Sequence, residues 1–228
     1  MIVEFNGLPG SGKTAVSDIL CKNLNHAGHP SGLYKDMTYG GSKNKIQKLI
    51  LVLKEISFKE LMDLFAVAGS VAHRVDLQQI RRILIAERIC IAYRNRKNDN
   101  RIFVVDQGIV QAMLSIVHTY GIKDEARFLF YTGKILYRYN CLYINAVSDE
   151  TLSLQRIRDR NLSGGSRMNC ITNDDVLLEE LSKQRRSLTL LRKSLCESKC
   201  IDLSMDQAPD ENANIIFHYL LNETDDQR

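Results

Sequence analysis

The sequence is poor in several kinds of residue, and each shortage narrows the classes of protein that it fits. It has no tryptophan and only three prolines, and aromatic residues make up 7% of the chain. No apolar run reaches the roughly 18 residues of a membrane-spanning helix, so we expect no membrane association. No basic region followed by an apolar stretch opens the chain, so we expect no secretory signal and a cytoplasmic location.

Positive charge is present in excess but is not concentrated. The chain has 31 Lys and Arg against 27 Asp and Glu, for a net charge of +4. A surface that binds a nucleic-acid polymer typically has a dense run of arginines interleaved with aromatic residues. This sequence has no such run. We therefore expect no nucleic-acid partner and attribute the positive excess to the handling of phosphate groups.

Cysteine usage and size indicate an ordinary intracellular globular domain. The six cysteines are scattered through predicted helices and strands, as core thiols of a reducing compartment are. Cys196 and Cys200 are four residues apart, but no second pair or nearby histidine supports a zinc site. A chain of 228 residues with 44% apolar content is long enough for a single domain with a sizeable core.

One specific motif lies near the start of the sequence. Residues 7–14 read Gly-Leu-Pro-Gly-Ser-Gly-Lys-Thr, which fills the pattern G-x-x-x-x-G-K-[ST] of a phosphate-binding P-loop. Residues 2–5 before it predict a strand, and residues 15–24 after it predict a helix. Glycines let such a loop curl so that its N–H groups converge on phosphate oxygens at the helix N-terminus. The motif therefore predicts binding of a nucleoside triphosphate.

The loop also predicts individual contacts with ATP and Mg²⁺. Lys13 would reach the β- and γ-phosphates and serve as a catalytic residue, and the Thr14 hydroxyl would ligate Mg²⁺. The predicted ATP-binding residues of the loop are Gly7, Gly10, Ser11, Gly12, Lys13, Thr14 and Ala15. ATP and Mg²⁺ are thus the expected cofactors.

Strand and helix patterns alternate along the rest of the chain. Strands are predicted at residues 2–5, 32–35, 102–105, 142–146 and 200–203, with helical patterns between them. This alternation predicts a three-layer α/β fold of the P-loop NTPase type, with a central parallel sheet of about five strands. We expect residues 1–228 to form a single domain, with a helical lid at about 156–175 and a disordered tail at 222–228.

Asp106 is the predicted acidic partner of the P-loop. It ends the apolar run 102–105, and in open α/β sheets ligands bind at the carboxyl ends of the strands. Its carboxylate is predicted to organise Mg²⁺ together with Thr14, or to act as general base toward an acceptor. Alternatively, Asp106 caps the helix that is predicted to begin near Ile109, and the two roles are compatible.

Two groups of arginines complete the predicted site. Arg88 lies in an apolar part of a helix predicted from about Val71 to Lys97, where an arginine should be paired or should face a ligand. Arg156 and Arg160 share a helix face, and glycines separate them from Arg167. Closure of this segment would place guanidinium groups of Arg156 and Arg160 on the transferring phosphoryl group and Arg167 on ATP. The alternative is a solvated basic helix.

With these residues in place, the chain resembles P-loop nucleotide kinases, and thymidylate kinase-like proteins most of all. The resemblance rests on residues 4–14, on Ala86-Glu87-Arg88, on Val104-Val105-Asp106, on residues 142–145 with 156–160, and on residues 201–204. It implies transfer of the γ-phosphoryl group of ATP to a nucleotide, nucleoside or other small acceptor. It also implies that Asp36, Arg88 and Gln107 face this acceptor.

One departure from that family concerns the acceptor. Thymidylate kinases have arginine after the aspartate, where this chain has Gln107. Because that arginine contacts the acceptor's phosphate, Gln107 weakens the expectation of a nucleoside monophosphate. A nucleotide-binding regulatory ATPase without a small-molecule acceptor is the alternative function, since fold does not fix function. A homodimer is compatible with the sequence.

Overall fold

The computed structural model describes residues 1–33, 54–71, 76–118, 121–160, 171–195 and 200–225. Within them, five strands form one parallel sheet in the order β2-β3-β1-β4-β5. They are β1 (Ile2–Gly7), β2 (Ser31–Leu33), β3 (Ile102–Val105), β4 (Cys141–Val147) and β5 (Cys200–Ser204). The predicted α/β class and the five strands are confirmed.

Eight helices connect and cover these strands within the described ranges. They are α1 (Lys13–His26), α2 (Phe58–Gly69), α3 (Leu77–Asn95), α4 (Ile109–His118), α5 (Glu125–Leu136), α6 (Glu150–Arg160), α7 (Asp174–Lys193) and α8 (Pro209–Asp225). None of them combines the length and apolar character that crossing a membrane requires.

Two apolar clusters, one on each face of the sheet, make up the core. Val16 of α1 and Ile216 of α8 belong to the cluster on one face. Leu64 of α2, Ile83 of α3 and Met113 of α4 belong to the cluster on the other face, together with residues of α5, α6 and α7. This covering explains why β3 is a continuous apolar run rather than an alternating pattern, since its residues are buried on both sides.

The helix predicted from Val71 to Lys97 starts later than expected. α2 ends at Gly69, and α3 begins only at Leu77, where the Asp76 side chain accepts a hydrogen bond from Gln79 N at 2.7 Å. Aspartate is a preferred N-cap because its carboxylate satisfies an N–H group of the first turn. The cap at Asp76 thus marks the start of α3, which the helical pattern of the sequence did not predict.

The sheet register places the ends of β1 and β3 side by side. β1 is the central strand, and Glu4 of β1 lies opposite Val105 of β3. Because the two strands are parallel, the segments that come after them leave the sheet at the same edge. The P-loop after β1 and Asp106 after β3 are therefore neighbours.

Candidate active site

The segment between β1 and α1 is a tightly curled loop that only glycine permits at several positions. Gly10 and Gly12 have φ values of 80° and 97°, which other residues rarely adopt. A Cβ on Gly10 would lie 2.5 Å from the carbonyl oxygen of Ser153 in α6. Gly12 is the N-cap of α1. The loop is thus fixed both by its own dihedral angles and by the close approach of α6.

Lys13 folds over this loop rather than into solvent. Its side chain is buried, and Nζ donates hydrogen bonds to Gly7 O at 3.0 Å, to Leu8 O at 2.6 Å and to Ser11 Oγ at 3.1 Å. These bonds hold a positive charge at the loop, beside the N-terminus of α1, whose dipole also favours anions. The loop therefore combines a positive charge with a helix N-terminus, as the predicted phosphate site requires.

Thr14 and Asp106 meet across the sheet edge. The Thr14 hydroxyl donates a hydrogen bond of 2.9 Å to Asp106 Oδ2, although the two residues are 92 positions apart. Thr14 is exposed and Asp106 is half-buried, so both oxygens lie at a surface that a ligand can reach. A hydroxyl and a carboxylate are the oxygen ligands that Mg²⁺ accepts in phosphate-binding sites. The pair fits the predicted metal.

The carboxylate at the N-terminus of α4 comes from Glu4 rather than from Asp106. Glu4 Oε1 accepts a hydrogen bond from Val110 N at 2.7 Å, and Glu4 Oε2 accepts one from the Tyr93 hydroxyl at 2.7 Å. Glu4 fills that position from the neighbouring strand, whereas Asp106 accepts the bond from Thr14, so the capping role considered for Asp106 gains no support. A single acid within the apolar stretch of residues 2–5 was the sequence signal for this role.

Glu4 is fully buried, and this burial raises its pKa to about 7, while the hydrogen bonds from Tyr93 and from the first turn of α4 act to lower it. Its position also explains the glycine in Asp106-Gln107-Gly108. A Cβ on Gly108 would lie 2.2 Å from the Tyr93 hydroxyl and 2.3 Å from Glu4 Cδ. No side chain fits there while Glu4 and Tyr93 keep their places.

Arg156 of α6 contacts the P-loop directly. Its Nη1 donates to Ser11 O at 3.1 Å, and its Nη2 donates to Met205 O at 3.0 Å, in the segment after β5. The guanidinium thus joins the loop to the end of the last strand. Its neighbour Arg158 instead bonds to Asp174 at 2.6 Å and to Ile171 O at 2.7 Å, which ties α6 to the start of α7.

The structure gives fewer contacts for the other predicted site residues. Arg160 is the last residue of α6, but its side chain lies outside the described part of the structure, as do Asp36 and Arg167. Gln107 is exposed, and Arg88 is half-buried on α3. Within the described ranges, no hydrogen bond links Arg88 or Gln107 to the P-loop. The residues that the structure brings together are those of the predicted phosphate and metal side.

A cavity of about 400 Å³ lies between α3 and α4. It is lined by Gln78, Arg81, Arg82, Ile85, Ala112 and Ser115. Arg88 is not among its lining residues, so the predicted role of Arg88 toward an acceptor gains no support from this cavity.

A second group of side chains that could hold a metal ion lies between α2 and α3. Ligand atoms of Glu60, Glu87 and Cys90 lie within 4.8 Å of one another, in the part of the chain that the structure describes. Both oxygens of Glu60 are already engaged, one by the Tyr139 hydroxyl at 3.0 Å and the other by Arg94. Since a guanidinium already neutralises Glu60, we interpret the cluster as a link between helices rather than as a metal centre.

The arrangement of the five-stranded sheet, the loop and the covering helices has counterparts among solved structures. Among solved structures, the chain is similar to a deoxyadenosine kinase from M. mycoides with bound dATP, with a TM-score of 0.53, 11% identity, and coverage of 96% of this chain and 99% of that one. It is also similar to a deoxyadenosine kinase from M. mycoides with the products dCMP and a flexible dCDP bound. Here the TM-score is 0.50 and the identity 11%, and the match covers 97% of this chain and 99% of that one. No protein-family model and no curated protein matches the sequence. At this identity the likeness establishes the fold.

Proposed function

We propose that the protein is an ATP-dependent phosphotransferase that transfers the γ-phosphoryl group to a small acceptor, with a nucleoside as the favoured acceptor. The observation that carries this proposal is the 2.9 Å hydrogen bond between Thr14 and Asp106, beside the buried ammonium of Lys13. A P-loop lysine, a hydroxyl and a strand-end carboxylate are the parts that phosphoryl transfer needs on the donor side.

In this proposal each residue acts by position and charge. The N–H groups from Gly10 to Ala15 bind the nucleotide phosphates, and Lys13 neutralises the oxygens on which negative charge accumulates. Thr14 and Asp106 would hold Mg²⁺, which supplies Lewis-acid neutralisation of the phosphate charge when it is bound. Arg156 holds the loop from α6, while Arg160 and Arg167 remain predicted ligands of the transferring group and of ATP.

The nature of the acceptor is the finer part of the proposal. Gln107 has an uncharged amide where thymidylate kinases have a phosphate-binding arginine, which favours a hydroxyl acceptor over a phosphate acceptor. The structural neighbours are deoxyadenosine kinases, which supports the same choice. A nucleoside monophosphate, as in thymidylate kinase-like enzymes, is the second candidate because Arg81 and Arg82 line the cavity between α3 and α4.

The experiment is an ATP-turnover assay on the purified protein with a panel of deoxynucleosides, their monophosphates and sugars. We expect the Lys13→Ala variant to lose at least about 100-fold in turnover, because an oxyanion-stabilising group is removed. Lys22→Ala is the matched control, since Lys22 is exposed on the same helix and should leave turnover unchanged.

Two results would refute the proposal. Equal ATP turnover in wild type and Lys13→Ala would show that the P-loop is not the site. Slow ATP hydrolysis without phosphorylation of any member of the panel would favour the regulatory ATPase instead. Thermal unfolding of each variant separates a lost contact from a lost fold.

A further inference from the structure

Glu4 is the only ionisable residue of the central strand, and it faces the helices on the side opposite α1. Val3 and Phe5 belong to the apolar cluster that contains α1 and α8. Because successive side chains of a strand point to opposite faces, Glu4 points toward α3 and α4. Its hydrogen bonds to Tyr93 of α3 and to Val110 N of α4, both 2.7 Å long, agree with this direction.

Glu4 contacts the chain on both sides of Asp106. In the sheet register its partner is Val105, the residue immediately before Asp106. Its side chain accepts the hydrogen bond from Val110, four residues after Asp106, in the first turn of α4. The short segment Asp106-Gln107-Gly108 is therefore held at both ends by one residue. Gly108 is part of this arrangement, since a Cβ at that position would overlap the Glu4–Tyr93 pair.

We propose that Glu4 is a positioning residue that fixes the Asp106–Gln107 segment, and thereby the place of the Asp106 carboxylate relative to Thr14, in a manner that depends on whether Glu4 is ionised. This inference rests on the proposed function, because Asp106 is assigned there to the phosphoryl-transfer site. Glu4 itself touches neither Thr14 nor the P-loop through a hydrogen bond in the described ranges, so its action is indirect.

The hydrogen-bond pattern supports this dependence on charge. A carboxylate accepts at both oxygens, as Glu4 does, whereas a protonated acid must donate from one of them. Among the residues that the structure describes, the titratable side chains that face Glu4 are Tyr93 from α3 and Tyr143 from β4, with Cys141 of β4 beyond them, and all are uncharged at neutral pH. Without a cation among these neighbours, burial keeps the pKa of Glu4 at about 7. Loss of its charge weakens the bond to Val110, since charge-assisted hydrogen bonds are about twice as strong as neutral ones.

The Glu4→Gln variant tests the proposal because glutamine keeps the shape of the neutral acid. We expect wild-type turnover to rise about fivefold between about pH 6 and pH 8, with a midpoint near the Glu4 pKa of about 7. Turnover of Glu4→Gln should remain at the low-pH level of the wild type throughout this range. Tyr93→Phe removes a donor that lowers the Glu4 pKa and should move the midpoint to higher pH.

Tyr139→Phe is the matched control. The Tyr139 ring packs edge-on against Tyr93 with centroids 5.4 Å apart, but its hydroxyl donates to Glu60. It should therefore leave the midpoint of the pH profile unchanged. A Glu4→Gln profile that rises like that of the wild type would overturn the proposal. So would an equal loss of turnover at every pH, accompanied by an equal loss of stability, because that pattern indicates only a structural role.

A measurement that needs no activity separates this inference from the proposed function. The chemical shift of the Val110 amide proton reports its bond to Glu4 directly, without any opening of the fold. We expect this chemical shift to change between about pH 6 and about pH 8 in the wild type, as the bond strengthens, and to be independent of pH in Glu4→Gln. The same pH response in both proteins overturns the role of Glu4, whereas absent phosphoryl transfer with the expected pH response overturns only the function.

Discussion

Adding a single methyl group at Gly108 should destabilise the protein severely. An alanine Cβ there would lie 2.2 Å from the Tyr93 hydroxyl, 2.3 Å from Glu4 Cδ and 2.5 Å from Glu4 Oε2. Relief requires that the buried Glu4–Tyr93 pair move, which breaks a hydrogen bond to an ionisable group worth about 2 kcal/mol. Overpacking of a filled core adds about 1–3 kcal/mol. We expect Gly108→Ala to lower the free energy of unfolding by about 3–5 kcal/mol.

The assay is urea unfolding monitored by circular dichroism, with Gly133→Ala as the control. Gly133 is also buried, but it lies inside helix α5, and the nearest atom to an added Cβ is Ser194 O at 3.6 Å, an ordinary contact distance. Because alanine is a better helix former than glycine, Gly133→Ala should stabilise the protein by up to about 1 kcal/mol. The two glycine-to-alanine changes are thus expected to have opposite signs.

A double variant locates the cause of the effect. Tyr93→Phe removes the hydroxyl that lies nearest to the added methyl group, so part of the cost of Gly108→Ala should disappear in the Tyr93→Phe background. We expect a coupling of about 1 kcal/mol between the two positions. A stability of Gly108→Ala within about 0.5 kcal/mol of the wild type would refute the close packing of Glu4 and Tyr93 on Gly108.

Three further predictions concern the loop, the metal pair and pH. Arg156→Lys should lower turnover about tenfold, because an ammonium cannot bond to Ser11 O and Met205 O in the same forked geometry; ATP turnover measures this, and an unchanged rate would contradict it. Asp106→Asn keeps an oxygen that can accept a hydrogen bond from Thr14 but removes the negative charge. It should therefore raise the Mg²⁺ concentration needed for half-maximal turnover by about tenfold, which a magnesium titration of turnover measures. An unchanged Mg²⁺ requirement would argue against Asp106 as a metal ligand. Glu4 has a folded-state pKa of about 7, above its ordinary value of 4.5, so its contribution to stability is greatest below about pH 4.5 and is lost as the pH rises through 7. Relative to Glu4→Gln, the wild type should therefore lose about 3 kcal/mol of unfolding free energy between about pH 4.5 and pH 7. Urea unfolding at a series of pH values measures this loss, and parallel curves of unfolding free energy against pH for the two proteins would contradict it.

The donor side of the site could be predicted because its signals are local in the sequence. The P-loop is a contiguous pattern whose glycines and lysine are fixed by the chemistry of phosphate binding. Asp106 comes after an apolar run that had to be a buried strand, and parallel strands end at one edge. The meeting of Thr14 with Asp106 was therefore predictable from two short stretches and one topological rule.

The contacts that hold Asp106 and the P-loop in place could not be predicted in the same way. Glu4 bonds to residues 89 and 106 positions away, and neither Tyr93 nor Val110 belongs to a motif. A lone acid in an apolar strand indicates a buried partner but does not say which helix supplies it. The same limit applies to Arg156, whose spacing predicted a ligand contact but not its bonds to two backbone carbonyl groups. Such contacts depend on the packing of helices, which no local pattern encodes.

The hydrogen bonds of Arg156 have a consequence for the order in which parts of the protein fold. Arg156 lies 145 positions after Ser11, and it also bonds to Met205, a further 49 positions along the chain. During synthesis the P-loop therefore emerges long before the residues that hold its backbone. Contacts of such high sequence separation form late and slow the overall folding rate. The P-loop is thus translated before the residues that hold it, and it is among the last segments to reach its final shape.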